Sequence, residues 1–394
     1  MKKILVLNSG SSSLKYQLFN MDDSAHRVIA KGLAERIGEK DSNLTLKMPD
    51  GQVITKNMPL PDHKTTLEQI FRLLIPAVLS DISELSAVGH RLGHGGEYFD
   101  KSVLINDDVM EKIYETADLL PLHGHAFILG IEAIKKLLPQ MPQTATFDSA
   151  FHQSMPKEAC MYALPAEQYQ KYRIRRYGFH GTSHYYVSQK AAEYLGKSGR
   201  FITCHLGNGA SVTAVKNGKS IDTSMGFGGV PGIFMGTRCG DIDPFIPLYI
   251  MKTQNKTADE VNMMLNKQCG LYALSGGHND RRDIEALFHQ NDPAAIRAMN
   301  SYVYQIVKYI GAYTAAMNGV DAIVFTAGIG ENSDFIRRRI CEKLAWLGVD
   351  FDPEANAAVH GFGEITKPNS PVRVLVIPTD EELVIAQDAY KLTI

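Results

Sequence analysis

Short apolar runs alternate with longer amphipathic stretches along the whole chain, the pattern of an α/β protein. Ile4 to Leu7 reads as a buried strand, Asn8-Ser9-Gly10-Ser11-Ser12-Ser13 as a polar turn, and Leu14 to Phe19 as a second strand of alternating character. No helix separates them. The same arrangement returns about 200 residues later, a spacing that suggests internal duplication. There Phe201 to Leu206 is a strand, Gly207-Asn208-Gly209-Ala210 a tight turn and Ser211 to Val215 a strand, and Asn217-Gly218 predicts a hairpin into Lys219 to Asp222. Each half is therefore expected to open on an antiparallel meander around a glycine turn.

Apolar residues at helical spacing predict helices over 67–79, 107–120, 126–138 and 183–195. A long helix is predicted over 294–318, with Ile296, Met299, Val303, Ile306, Val307 and Ile310 on one face. Thr144 to Phe147 is a short strand ending at Asp148, and Asp321 to Thr326 a strand running into Ala327-Gly328-Ile329-Gly330-Glu331-Asn332. Val372 to Ile377 is the last strand, and Pro378-Thr379-Asp380-Glu381 caps a final helix. No Pro-rich or low-complexity linker interrupts the pattern, so the domain boundary is expected at a compact crossing near Asp148 to Phe151. The expected domains are 1–149, with the final helix 380–394 returning to it, and 150–379.

Composition changes this picture little. The length of 394 residues suits two domains, at roughly 150 residues each. A net charge of -2 gives no global field for nucleic acid or an anionic membrane. The apolar run after Lys2-Lys3 stops at Asn8, too early for a signal peptide. No stretch reaches the roughly 18 apolar residues of a membrane span. The cysteines (Cys160, Cys204, Cys239, Cys269, Cys341) are odd in number and contain no CxxC, which fits reduced thiols in a cytoplasmic protein.

Chemistry concentrates at the turns. Gly and Ser let backbone N–H groups converge on a phosphate, as in Asn8 to Ser13 with Lys15 close by, and in Gly207-Asn208-Gly209. Gly328 to Asn332 lies between a strand and an expected helix N-terminus, where the dipole favours an anion. Neither a Walker A motif nor a full GxGxxG is present, against the P-loop and Rossmann readings. The histidine pairs His90/His94 and His180/His184 have zinc-ligand spacing, but no HExxH occurs and glycines at 93, 95 and 96 make the first pair a poor helix. Arg91 follows a strand and Arg238 lies in Met235-Gly236-Thr237-Arg238; both suit bidentate recognition of a carboxylate or phosphate, and both suit a surface ion pair. Asp148 at a strand end and Glu381 at a helix start can hold Mg²⁺ through water or act as caps.

Taken together and in order, these segments resemble the acetate kinase family, which includes propionate kinases. The resemblance runs through Asn8-Ser9-Gly10-Ser11-Ser12-Ser13-Leu14-Lys15, Gly89-His90-Arg91, Phe147-Asp148-Ser149-Ala150-Phe151-His152 and Arg176-Tyr177-Gly178-Phe179-His180-Gly181-Thr182-Ser183-His184. It continues through His205-Leu206-Gly207-Asn208-Gly209, Gly236-Thr237-Arg238, Gly328-Ile329-Gly330-Glu331-Asn332 and Pro378-Thr379-Asp380-Glu381-Glu382. It implies two related ribonuclease H-like domains of the actin, Hsp70 and sugar-kinase type with a nucleotide cleft between them, a homodimer, ATP or ADP as co-substrate, and Mg²⁺ with Mn²⁺ as an alternative. The implied reaction is reversible phosphorylation of a short carboxylic acid, ATP plus acetate giving ADP plus acetyl phosphate.

The roles the resemblance implies are specific. Arg91 binds the acid, and His180 and Arg238 stabilise charge on the transferring phosphoryl group. Asp148 orients the reacting groups or the metal's waters, while Asn8 and Glu381 help hold the metal. Lys15, His205, Leu206, Gly207, Asn208 and Gly209 contact phosphates. Asp280, Arg281, Arg282, Gly328, Ile329, Gly330, Glu331 and Asn332 form the nucleotide pocket. Leu122 and Phe179 are retained walls of the acyl pocket. This chain departs from the family at two others, with Gly93 where valine or alanine is usual and Gly229 where proline is usual. Two missing side chains predict a larger acid, such as propionate, butyrate or a substituted acid, with His125 as a recognition residue for a substituent. The rival classes are a sugar kinase, a non-catalytic nucleotide-binding module and a zinc hydrolase. The apolar wall beside Arg91 argues against the first and the complete charged set against the second.

Overall fold

The computed structural model describes residues 1–23, 25–117, 119 and 124–393, with Gly124 and His125 described in backbone only. The chain divides into two compact units, Met1–Gln153 with Asp380–Ile394, and Ser154–Thr379. No helix among the described residues is long and apolar enough to cross a membrane.

The first unit is built on β1 (Lys2–Ser9), β2 (Ser13–Met21), β3 (His26–Glu35), β4 (Asn43–Lys47), β5 (Val53–Asn57), β6 (Leu85–Leu92), β7 (Val103–Leu104) and β8 (Gln143–Phe147), in the sheet order β5-β4-β3-β2-β1-β6-β8-β7. β1 runs antiparallel to β2, with Asn8 opposite Lys15, and parallel to β6, which is parallel to β8. Ile4 to Leu7 are fully buried, as strands covered on both faces must be. Leu5, Leu7 and Val88 share a core with Leu67, Ile70 and Leu74 of α1 (His63–Val78) and Ile134 of α3 (Gly124–Leu137). α2 (Asp107–Ala117) adds Met110 and Ile113 to a second cluster around Phe147.

Two departures from expectation have identifiable reasons. α1 starts at His63, ahead of Leu67, because Asp62 caps it: its carboxylate accepts from the Thr65 amide at 2.6 Å. β3 to β5 are not predicted, because few of their residues are buried: Ala30 and Ala34 on β3, Leu44 and Leu46 on β4, and none on β5. The expected helix over 107–120 is described to Ala117; Asp118 and Leu120 lie outside the described residues.

The C-terminal helix, Glu381–Thr393, packs on β6, and a glycine permits the approach. A Cβ on Gly89 would lie 2.7 Å from Ile385 Cγ2 and 3.4 Å from Ala389 Cβ. The helix is pinned further by Asp388, which accepts from the Ser102 hydroxyl at 2.6 Å. This seating carries Glu381 to the end of β6 where Arg91 stands.

The second unit repeats the strand succession with β9 (Arg200–Leu206), β10 (Ala210–Lys216), β11 (Lys219–Thr223), β12 (Ala322–Thr326), β13 (Gly363–Glu364) and β14 (Arg373–Val376), in the order β11-β10-β9-β12-β14-β13. β9 is antiparallel to β10 and parallel to β12, and β12 is parallel to β14. So β3-β2-β1-β6-β8 in the first sheet matches β11-β10-β9-β12-β14 in the second, strand for strand and direction for direction. Around it lie α4 (Gly181–Leu195), α5 (Arg281–His289), α6 (Pro293–Met317), α7 (Ala327–Asn332) and α8 (Asp334–Glu342). The segment Gly328 to Asn332, expected as a loop ahead of a helix, is itself the short helix α7. Ala327 opens it at φ +63°, and the Glu331 carboxylate accepts from the Ala327 amide at 2.8 Å. One and a half turns do not build the dipole that the expectation invoked.

Gly89→Val should destabilise the protein by about 1–3 kcal/mol, because the helix must lift off β6. The same change should lower kcat, since Glu381 moves with the helix. Thermal melting and steady-state kinetics on one preparation check both effects.

Candidate active site

In the first unit the chemistry gathers at the carboxyl ends of the parallel strands, as is usual for ligand sites on such sheets. Arg91, at the end of β6, donates to both oxygens of Asp148, Nε to Oδ1 at 2.9 Å and Nη2 to Oδ2 at 2.7 Å. Glu381 stands 3.7 Å from the same Nη2. Burial works against the guanidinium charge, but Asp148 and Glu381 outweigh it and push the Arg91 pKa up. Asp148 itself is fixed after β8 by its amide, which donates to the Leu92 carbonyl at 2.9 Å. The fork thus uses Nε and Nη2 on Asp148, and Nη1 makes no hydrogen bond among the described residues. Lys15 pairs with Glu382, the neighbour of Glu381.

His90, beside Arg91, points into the unit. Its Nε2 meets Gln143 Oε1 at 2.8 Å, and burial drives its pKa down from 6.5 to about 4 despite that bond. His94 accepts from the Gly96 amide through Nδ1 at 2.9 Å. Gly93 lines a small, largely apolar cavity of about 10 Å³ with Leu92, His94, Ile113, Thr116, Ala117 and Phe127, room for about one water. Leu122 lies outside the described residues, and so does the side chain of His125.

In the second unit a histidine cluster forms at the turn after β9. His180 caps α4 in the left-handed region, at φ +57°. Its ring stacks on His205 with centroids 4.2 Å apart. The Ser211 hydroxyl meets His180 Nδ1 at 2.9 Å and His184 Nε2 at 2.7 Å. A hydroxyl has one proton, so it donates to one ring and accepts from the other, which ties the two tautomers together. His184 Nδ1 meets Thr203 Oγ1 at 2.7 Å, and His205 Nδ1 meets the Ser183 hydroxyl at 2.8 Å. The i, i+4 spacing of His180 and His184 therefore converges on a serine hydroxyl. No group of three or more His, Cys, Asp or Glu able to hold a metal ion occurs among the described residues.

Arg238 has a different environment from Arg91. Nη1 donates to the Gly229 carbonyl at 2.8 Å and lies 3.7 Å from Met235 Sδ. No carboxylate pairs with it among the described residues, and burial alone pulls its pKa down. A guanidinium stays charged even so, which leaves a half-buried cation without an anion. A Cβ on Gly229 would lie 3.3 Å from Arg238 Nη1, so that glycine's space borders the guanidinium. Phe179 is buried beside His180.

A cavity of about 620 Å³ lies within this unit. It is lined by the expected Gly207, Asn208, Asp280, Arg281, Arg282, Gly328, Ile329 and Asn332, and by Gly236, Leu271 and Asn279, which were not anticipated. Asp280 caps α5, and the Arg282 side chain beside it pulls its carboxyl down to about 2. Gly236 lies close to Asn208: a Cβ there would lie 2.2 Å from Asn208 Oδ1, so that side chain would have to turn away. Five expected contacts of this unit do not line the cavity. Leu206 is fully buried core and His205 is engaged with Ser183. Gly330 gives its carbonyl to Arg337 at 3.0 Å. Glu331 braces Ala327 and also accepts from the Thr379 amide at 3.1 Å. Gly209 lies against His180, where a Cβ would be 3.3 Å from Nε2.

The sequence pattern of the acetokinase family matches residues 3–387. Curated acetate kinases from Pseudothermotoga lettingae and Thermotoga maritima are 51% and 50% identical, each over 99% of this chain and over 97% and 98% of their own lengths. The crystal structure of Porphyromonas gingivalis acetate kinase superposes with a TM-score of 0.94 at 43% identity, covering 100% of both chains. A propionate kinase from Francisella tularensis gives the same TM-score, identity and coverage.

His90 makes stability pH-dependent. Below its ordinary pKa of 6.5 the unfolded chain takes up a proton that the folded form refuses until about pH 4, so stability falls as pH drops through that window. The full window corresponds to about 3 kcal/mol. His90→Gln should flatten this part of the profile, measured as urea midpoints at pH 7 and pH 4.5.

Proposed function

The chain belongs to the acetokinase family, and we propose roles for its residues in the reaction that follows from that membership, ATP-dependent phosphorylation of the carboxylate of acetate. The single observation that carries the catalytic assignment is Arg238, a half-buried cation with a carbonyl and a thioether for partners and no carboxylate among the described residues. Such a group is preorganised for an anion that arrives with the substrate.

The acid is already ionised at neutral pH, so one carboxylate oxygen can attack the γ-phosphorus directly while ADP leaves, and no general base is required. Arg91 binds the acid through its remaining Nη1 edge, with Asp148 and Glu381 holding the fork in orientation. Asp148 acts here as the partner of Arg91. Arg238 and His180 stabilise charge on the equatorial oxygens, His180 with its ring set by Ser211 and the His205 stack. The cavity of the second unit takes the nucleotide, its glycines at 207, 236 and 328 admitting the ligand close to backbone. Lys15, already paired with Glu382, acts on phosphate only by exchanging that partner.

Mg²⁺ fits the residues present. The oxygen donors Asn8 and Glu381 are hard ligands, the kind such an ion takes together with waters and phosphate oxygens. When bound, it neutralises charge on the phosphates. A homodimer is proposed from the helix Phe245–Gln254, which buries no residue and exposes Phe245 at 65% and Leu248 at 60%. The free cysteines suit a cytoplasmic location. Preference for a larger acid is a second reading, favoured by the missing side chains at Gly93 and Gly229; the cavity beside Gly93 is only about 10 Å³, and Arg238 already borders the space at Gly229.

Hydroxamate trapping should detect acyl phosphate with ATP and acetate. Arg238→Ala should lower kcat about 10²–10³-fold, and Arg91→Ala should mainly raise KM for the acid. Running propionate and butyrate in parallel decides the second reading: kcat/KM highest for acetate ends it.

Phe245→Glu combined with Leu248→Glu should halve the mass measured by light scattering after size exclusion. A wild-type monomer at micromolar concentration would refute the dimer.

A further inference from the structure

The loop that carries Arg238 is closed by a clasp. At its two ends Gly232 and Asp241 exchange hydrogen bonds: the Asp241 amide donates to the Gly232 carbonyl at 2.8 Å, and the Gly232 amide donates to Asp241 Oδ1 at 2.9 Å. The second carboxylate oxygen of Asp241 accepts from the Tyr309 hydroxyl. Both glycines near the closure are required by geometry. Gly232 has φ +101° and Gly240 φ +67°, and a Cβ on Gly240 would lie 2.5 Å from the Phe234 amide nitrogen.

The clasp is anchored to a rigid element. Tyr309 lies on α6, and Gln305, one turn earlier on the same face, accepts from the Phe234 amide at 2.8 Å. One stripe of a 25-residue helix thus grips the loop at Phe234 and Asp241, on either side of Arg238. Inside the loop the Met235 amide donates to the Arg238 carbonyl at 3.0 Å, so the backbone of Arg238 cannot shift without disturbing the closure. Burial and the neighbouring Asp241 push the Tyr309 pKa up, which keeps its hydroxyl a donor.

We propose that Asp241 and Tyr309 are positioning residues for Arg238, holding its guanidinium in the orientation that stabilises the transferring phosphoryl group. This rests on the charge-stabilising role given to Arg238 above. Neither residue touches that guanidinium. They act through the loop, so their removal should appear in kcat with little change in KM for ATP or for the acid.

The test is a double-mutant cycle read by steady-state kinetics with a thermal melt of each variant. Tyr309→Phe, which deletes one hydroxyl and keeps the ring, should lower kcat about three- to tenfold. Asp241→Ala should lower it more, and Asp241→Asn, which retains an oxygen for Gly232, should recover part of the loss. In an Arg238→Ala background, Tyr309→Phe should change kcat less than twofold, because the group it positions is gone. Equal effects of Tyr309→Phe in both backgrounds would overturn the proposal, as would full kcat in Tyr309→Phe and Asp241→Ala. If Arg238→Ala alone keeps near-wild-type kcat, the underlying role of Arg238 is what fails.

Discussion

A guanidinium withdrawn from water must find compensating partners, and the choice of partner decides what else it can do. This chain uses two solutions. Arg91 takes carboxylates, with Asp148 in a two-bond fork and Glu381 nearby. Its charge is secured and its orientation fixed, at the price of a site that is locally neutralised. Arg238 and Arg337 take neutral acceptors. Arg337 is almost completely buried and donates to the carbonyls of Gly330 and Glu331 and to Asn356. Arg238 has the Gly229 carbonyl. Carbonyls satisfy donors without cancelling charge, so these two guanidinium groups keep theirs without a hydrogen-bonded carboxylate among the described residues. Glycines, strand ends and loop clasps serve to hold these cations in place.

The repeated sheet explains why the two kinds of site occupy comparable places. In each unit an antiparallel pair is followed by two parallel strands, and the functional groups follow the carboxyl ends of those strands. Arg91 ends β6 and Asp148 follows β8; the turn at Gly207 follows β9 and α7 follows β12. The first unit has become an acidic and basic network, the second a glycine-lined cavity with a histidine cluster at its turn. One architecture thus supports two chemistries because the strand ends tolerate change that the buried runs do not.

Much of this was readable from the chain. The apolar runs Ile4 to Leu7 and Ala322 to Phe325 are uninterrupted and marked both segments as strands. The glycine turns at 207 and 328 marked backbone that comes close to something. What stayed hidden depended on distance in sequence. That Glu331 braces Thr379, that Asp148 is the partner of Arg91, and that Asn279 and Leu271 line the cavity are facts about tertiary neighbours. Asp241 and Tyr309 lie far apart along the chain, and no local pattern links them. The strands from His26 to Asn57 escaped because half their residues face solvent and give a weak apolar signal. Helicity at Gly328 to Asn332 was obscured by glycines, whose poor propensity is offset here by Glu331 and Arg337 at the helix ends.

The return of the last helix to the first unit has a consequence for how the protein is made. Synthesis runs from the amino end, so β1 to β8 exist long before residues 381–393 are available. Until then Gly89 faces no Ile385, Ser102 has no Asp388, and Arg91 lacks Glu381. The second unit, continuous from Ser154 to Thr379, has all its strands earlier. The unit whose strands are translated first is thus the one completed last, and its sheet lacks this covering helix until residues 381–393 have been made. Arg91 acquires its second carboxylate only once Glu381 has been made, so a product truncated before it lacks that carboxylate beside an otherwise intact Arg91–Asp148 pair.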